Sequence, residues 1–319
     1  MKRREFIALL GAAAAWPLAA RAQTNRPRRI AILVPFSAFV LEPLLGELRK
    51  DGLVEGENLA VDRRGVAGAY EQFPGLAAEL VESNPDALVC AGDTAIRAAQ
   101  AATRVIPIVA ATDDMVGSGL ARSLARPGGN TTGVSLLAAE LDGKRQEILI
   151  DFFPAAKRMA ALADSHNTDQ RRLDGLIEAA RKRGVELRSY PVEHTEAIDA
   201  AIDRAKAEGC VALNVLASPL LHGSRQTIIA RALELRLATM FQWPETAREG
   251  GLLAYGPRFD EFFRQWARQL VKVLRGANPA ELPIEQATKF ELVVNLKTAH
   301  ALGLEVPPTL LARADEVIE

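Results

Sequence analysis

Short apolar runs, each closed by a proline or a small polar residue and followed by a helical repeat, recur along almost the whole chain. This alternation restricts its fold more than any other feature. Ile30-Ala31-Ile32-Leu33-Val34 ends at Pro35, and Leu41, Leu44, Leu45 and Leu48 follow at helical spacing. A short run that is apolar at every position suits a strand buried on both faces, as in a parallel sheet. Runs at 59–61, 87–90, 106–109 and 131–135 continue the series. The pattern then starts again. Strands are predicted at 159–163, 185–187, 211–216 and 238–241, with helices at 144–153, 170–183, 198–207 and 225–235. Two such series of similar size predict an α/β protein of two doubly wound, Rossmann-like lobes. The tail adds strand-like runs at 252–255 and 290–294 and a helix at 260–274. It is too short for a third domain. Lobe one is therefore expected at 28–135 with 252–276, and lobe two at 136–251 with 277–319.

Ahead of the first lobe stands a different kind of segment. Lys2-Arg3-Arg4 precedes an apolar, alanine-rich stretch, and Ala20-Arg21-Ala22 offers a small-x-small cleavage site before Gln23. This is the pattern of a secretory signal over residues 1–22, and the paired arginines point to twin-arginine (Tat) export. The apolar stretch carries Pro17 and is shorter than the ~20 residues needed to span a bilayer. The expected location is the periplasm. The whole chain has 39 basic and 40 acidic residues. Loss of Lys2, Arg3, Arg4, Arg21 and Glu5 would leave 35 against 39, a net −4. That balance argues against a nucleic-acid groove, which should be basic. Cys90 and Cys210 lie far apart in apolar runs and read as buried structural thiols, with pairing by oxidation as the alternative.

Catalytic patterns are missing from the sequence. The four histidines have neither HExxH nor HxxxH spacing, and there is no CxxC, nucleophile elbow or phosphate loop. Neither a metal nor a cofactor is expected. The adjacent acids Asp113-Asp114 read first as capping or solvated groups.

What remains are the loops after the strands, where ligands of open α/β sheets bind. These carry Phe36-Ser37, Asp93-Thr94, Thr112-Asp113, Ser165-His166-Asn167 and Ser218. Each small polar residue alone suits a helix cap, but together they suit a cleft for a small polar solute. The helix starts after Gly92 and Asp164 are expected to favour a carboxylate, and Asp113 or Glu245 an ammonium group. An amino acid or similar zwitterion is thus preferred over a sugar. Trp266 falls among Phe262, Phe263 and Leu270 at helical spacing and reads as core. Trp243, between the strand at 238–241 and Pro244, is expected at a hinge crossing. With Phe36 and Tyr255 it would form an aromatic wall of the pocket.

The chain resembles the bacterial ABC-transporter substrate-binding proteins of the type I periplasmic-binding-protein fold, a group with tryptophan- and tyrosine-binding members. The most specific stretch is Thr288-Lys289-Phe290-Glu291-Leu292-Val293-Val294-Asn295-Leu296-Lys297-Thr298-Ala299. Arg126-Pro127-Gly128-Gly129-Asn130-Thr131-Thr132-Gly133-Val134 and Gly250-Gly251-Leu252-Leu253-Ala254-Tyr255-Gly256 support it. The resemblance implies two lobes joined by three crossovers, one solute in the cleft, and a permease in the inner membrane as partner of a monomeric binding protein. Gly92-Asp93-Thr94 and Asp164-Ser165-His166-Asn167 depart from the group's usual cleft loops. A ligand-sensing partner of a membrane receptor and a periplasmic enzyme using the same cleft are the alternatives.

Overall fold

A computed structural model describes residues 26–35, 41–65 and 70–319. The expected leader, 1–22, lies outside the described residues, as do Phe36 and Ser37. The first lobe runs β1 (Arg28–Val34), α1 (Glu42–Lys50), β2 (Leu59–Gly65), α2 (Phe73–Glu82), β3 (Ala87–Ala91), α3 (Asp93–Ala102), β4 (Ile108–Thr112) and β5 (Thr131–Ser135). The second runs α4 (Ala138–Phe152), β6 (Arg158–Asp164), α5 (Gln170–Lys182), β7 (Glu186–Val192), α6 (Ile198–Ala207), β8 (Ala212–Val215), α7 (Pro219–Gly223), α8 (Arg225–Glu234), β9 (Ala238–Phe241), α9 (Pro244–Arg248) and β10 (Leu253–Gly256). The tail holds α10 (Phe259–Leu274), β11 (Glu285–Gln286), β12 (Glu291–Asn295), α11 (Leu296–Leu302), α12 (Pro308–Leu311) and β13 (Glu316–Ile318).

Two sheets result, ordered β11-β5-β4-β3-β1-β2 and β13-β12-β10-β9-β8-β6-β7. Pairing is parallel throughout except between β10 and β12. The fold is thus the expected α/β pair of doubly wound lobes. Fully buried strands such as β3, β4 and β8 are the ones that read as unbroken apolar runs. β7 extends well beyond the expected 185–187 and contains Pro191, which an edge strand tolerates because a neighbour is needed on one side only. Helices cover both faces of each sheet, giving two apolar layers per lobe. Cys90 and Cys210 are buried free thiols in different lobes, and burial pushes the Cys90 thiol up to about 12.

The tail divides differently from the sequence expectation. The segment at 252–256 was expected in lobe one, but β10 pairs with β9 and β12 in the second sheet. Only a short helix separates β9 from β10, so the chain returns beside the strand it has just left. The segment after 276 was expected in lobe two, but β11 pairs with β5 in the first sheet. Between them α10 packs on lobe one, against α1 and strands β3, β4 and β5. Trp266 anchors it there: it is 1% exposed, and its Nε1–H donates to the Val109 carbonyl at 3.1 Å.

The chain therefore passes between lobes three times, after β5, after β10 and after β11. At the first passage Leu137 adopts a left-handed backbone (φ 55°), unusual for a residue with a side chain. At the second, Gly256 lies against the end of β9, and a Cβ there would sit 1.9 Å from the Gln242 carbonyl oxygen. Backbone, not a flexible side chain, blocks that space. Gly256→Ala is expected to cost about 1–3 kcal/mol through forced backbone movement. A urea unfolding midpoint that falls with an unchanged slope would record it.

Candidate functional site

The carboxyl ends of the strands of both sheets face each other across one cleft, as the switch-point rule for open α/β sheets requires. A cavity with about 540 Å³ of empty space lies there. Lobe one contributes Gly92 after β3 and Thr112-Asp113 at the end of β4. Lobe two contributes Asn167 after β6, Ser218 after β8, and Gln242-Trp243 after β9. The first turns of α10 close one side with Phe259, Phe262 and Phe263.

Of the residues expected in the site, Thr112, Asp113, Asn167, Ser218 and Trp243 meet at this cavity. Asp93 and Thr94 line a smaller adjoining space with Tyr70, Asn167 and Pro219. Three others lie elsewhere. Ser165 is exposed on its loop. Tyr255 packs against the second lobe's core and Phe290, because β10 belongs to that sheet. Glu245 accepts the backbone N–H of Phe259 at 3.2 Å and approaches Arg248 at 3.5 Å, so it serves the start of α10. Trp243 does line the cavity, but it does not lie on a crossing. Pro244 starts α9, which packs on β10 and β12 and keeps the chain in lobe two. Of the adjacent acids, Asp114 holds a tight turn by accepting the Val116 and Gly117 N–H groups, while Asp113 turns to the cleft.

Several lining residues carried no signal in the sequence. Gln242 and His222 were not among the residues expected to bind the solute. Phe262 and Phe263 read as core at helical spacing, and they are core. Their helix begins at the cleft, so the same stripe also forms its wall. Trp243 meets Phe259 edge-on at 4.9 Å between ring centroids and Phe262 at 5.3 Å. His222 lies 5.1 Å from Phe259. Burial against these rings, with Arg225 nearby, pushes His222 down to about 4, so it is neutral at pH 7.

The lobes also touch directly. The Tyr70 hydroxyl donates to Asp164 Oδ2 at 3.2 Å, and its ring stacks on His166 at 4.1 Å. Asp113 Oδ2 accepts Asn167 Nδ2 at 2.7 Å and Arg172 Nη1 at 2.8 Å. Arg172 also donates to Asp142, which pairs in turn with Arg145. Arg145 donates to the Tyr255 carbonyl at 2.9 Å, beside the second crossing. Four charges thus alternate from cleft to hinge. Asp142 and Arg145 are 1% and 0% exposed. Desolvation first of all, and then the nearby carboxylates Asp142 and Asp93, hold Asp113 up at about 6 despite Arg172.

A scan of protein families matches residues 40–318 to the ABC transporter substrate binding proteins. The chain belongs to this family. Among curated proteins it is 23% identical over 260 residues to the tyrosine-binding protein of Clostridioides difficile strain R20291, covering 81% of this chain and 74% of that one. A conserved domain protein of Vibrio cholerae superposes with a TM-score of 0.83 at 24% identity, over 92% of this chain and all of the other. An ABC domain from Streptococcus pneumoniae in complex with L-Trp gives 0.80 at 22%, with the same coverage. These likenesses support the type I periplasmic-binding fold.

Two outcomes follow from the charge chain. Asp142→Ala would leave Arg145 and Arg172 without their shared carboxylate, and is expected to cost about 3 kcal/mol or more in chemical unfolding. For Asp113, the folded-state value lies above the ordinary carboxylate value. Its contribution to stability is therefore present at low pH and lost as pH rises through about 6. Between pH 7.5 and pH 5, the wild-type melting temperature should gain relative to that of Asp113→Asn. Parallel melting curves for the two proteins would contradict this.

Proposed function

We propose that this member of the family is the exported solute-capturing component of an ABC uptake transporter, and that its solute is a small amine-bearing compound with an aromatic body, aromatic amino acids being the first to test. The observation that carries the reading is the wall of Trp243, Phe259, Phe262 and Phe263 around an inter-lobe cavity whose acidic group is Asp113. Rings stacked edge-on offer a slot for a flat apolar group, and a carboxylate at the rim suits an ammonium. The printed ligands of two relatives, tyrosine and L-Trp, support the same class.

Export rests on the leader read at 1–22, and a membrane permease is the partner that an uptake role requires. Among the described residues no helix is long and apolar enough to cross a membrane. The solute would enter an open form and be enclosed by rotation about the three crossings, a hinge closure. Tyr70–Asp164, Asp113–Asn167 and Asp113–Arg172 would form on closing.

The test is a thermal-shift screen of amino acids, aromatic amines, sugars and small acids, followed by calorimetry. A true solute raises the melting temperature by mass action. Trp243→Ala should then weaken binding by at least about tenfold, the loss of a buried aromatic anchor. A response confined to neutral sugars would overturn the aromatic-amine reading.

A further inference from the structure

We infer that the cleft reads the amine of its solute and has no receptor for a carboxylate, so that a decarboxylated aromatic amine is bound as well as the parent amino acid. This rests on the aromatic-amine reading above and narrows it.

A carboxylate needs either a free cation or an unoccupied helix start. The helix starts beside the cleft are already served: Glu42 stands in the first turn of α1, Glu245 in that of α9, Asp260 and Glu261 in that of α10, and the Ser218 hydroxyl caps α7. Asp93 is the first residue of α3. On the other lobe α5 begins at Gln170, and its cap Asp169 accepts the Arg172 N–H at 2.7 Å. The cations are committed as well. Arg172 spends its donors on Asp113 and Asp142, and Arg145 its two Nη groups on Asp142 and the Tyr255 carbonyl; the Arg145 Nε is unpaired but buried away from the cavity lining. Among the described residues no Lys or Arg lines the main cavity.

The balance of charge runs the other way. Asp93, Asp113 and Asp142 face two arginines. Asp93 accepts the Thr112 hydroxyl and has no cationic partner among the described residues. Asp113 has Oδ2 occupied by Asn167 and Arg172, but no described donor meets Oδ1. An ammonium placed there would restore neutrality in a poorly solvated site, where an uncompensated charge is costly.

A second, independent feature lies on the lobe-two side of the cavity. Gln242 is 93% buried, judged by its 7% exposure, and its Nε2 has no hydrogen-bond partner. It borders the main cavity and a smaller adjoining one beside His222 and Trp243. A buried amide left unpaired calls for a ligand atom. A hydroxyl on the aromatic ring, with neutral His222 alongside, would meet it.

Four probes test this by calorimetry on the purified protein: tyramine, L-tyrosine, 3-(4-hydroxyphenyl)propionate and phenethylamine. Tyramine should bind within about threefold of L-tyrosine or tighter. The propionate should be weaker than tyramine by at least about tenfold, and phenethylamine by roughly fivefold through loss of the Gln242 partner. Asp93→Asn should weaken tyramine on the order of fivefold without lowering the melting temperature of the free protein. L-tyrosine binding more than about threefold tighter than tyramine, or the propionate matching it, would overturn the inference while leaving the aromatic solute-capture reading in place. Binding of none of the four would remove both.

Discussion

Two carboxylates and two guanidinium groups, alternating from Asp113 through Arg172 and Asp142 to Arg145, are the constraint on which the two-lobe arrangement rests. Asp142 and Arg145 follow the first crossing on α4, and Arg145 reaches the Tyr255 carbonyl at the second. Arg172 comes from α5 and reaches over to lobe one. Isolated, any of these groups would be costly to bury; alternating, each neutralises its neighbour. Such pairs contribute little net stability compared with apolar packing, but they do favour one geometry. Only when the lobes approach does Asp113 meet Arg172.

The aromatic wall depends on the same approach. Trp243 is carried by lobe two, yet it packs into the lobe-one core with Phe262 and Phe263. The residues that bound the cavity are thus also the residues that weld α10 to its lobe. In the proposed closure, binding would use this same set of contacts, and a solute filling the space between the rings would act directly on the inter-lobe angle. The Tyr70 hydrogen bond to Asp164 and the stacking of its ring on His166 add a second rim contact.

Much of this was legible in the residues themselves. The repeated apolar runs predicted nine of the strands to within a few residues, because strands buried on both faces must be apolar throughout. Thr112, Asp113, Asn167, Ser218 and Trp243 were found because strand ends in this class converge. Tyr255 was misplaced because nothing local shows which sheet a tail strand will join, and Glu245 because its partner, the Phe259 N–H, lies on a helix that follows β10. The buried charge chain was invisible, since periodicity assigns Asp and Arg to the solvent side. The helix expected at 144–153 starts earlier, so residues 138–143 of α4, Asp142 among them, were missed.

By itself, then, the sequence determined the class of fold, the doubled lobe and the family, because these follow from periodicity, strand polarity and extended motif identity. Tertiary structure decided which lobe claims β10 and β11, which of two adjacent aspartates faces the cleft, and where Gln242 and His222 lie. Those outcomes depend on contacts between residues far apart in the chain, such as Asp113 with Arg172, 59 positions on, and Trp266 with Val109, 157 positions back. Local propensity carries no term for such contacts. They exist only once the two sheets have formed and their carboxyl ends have been brought face to face.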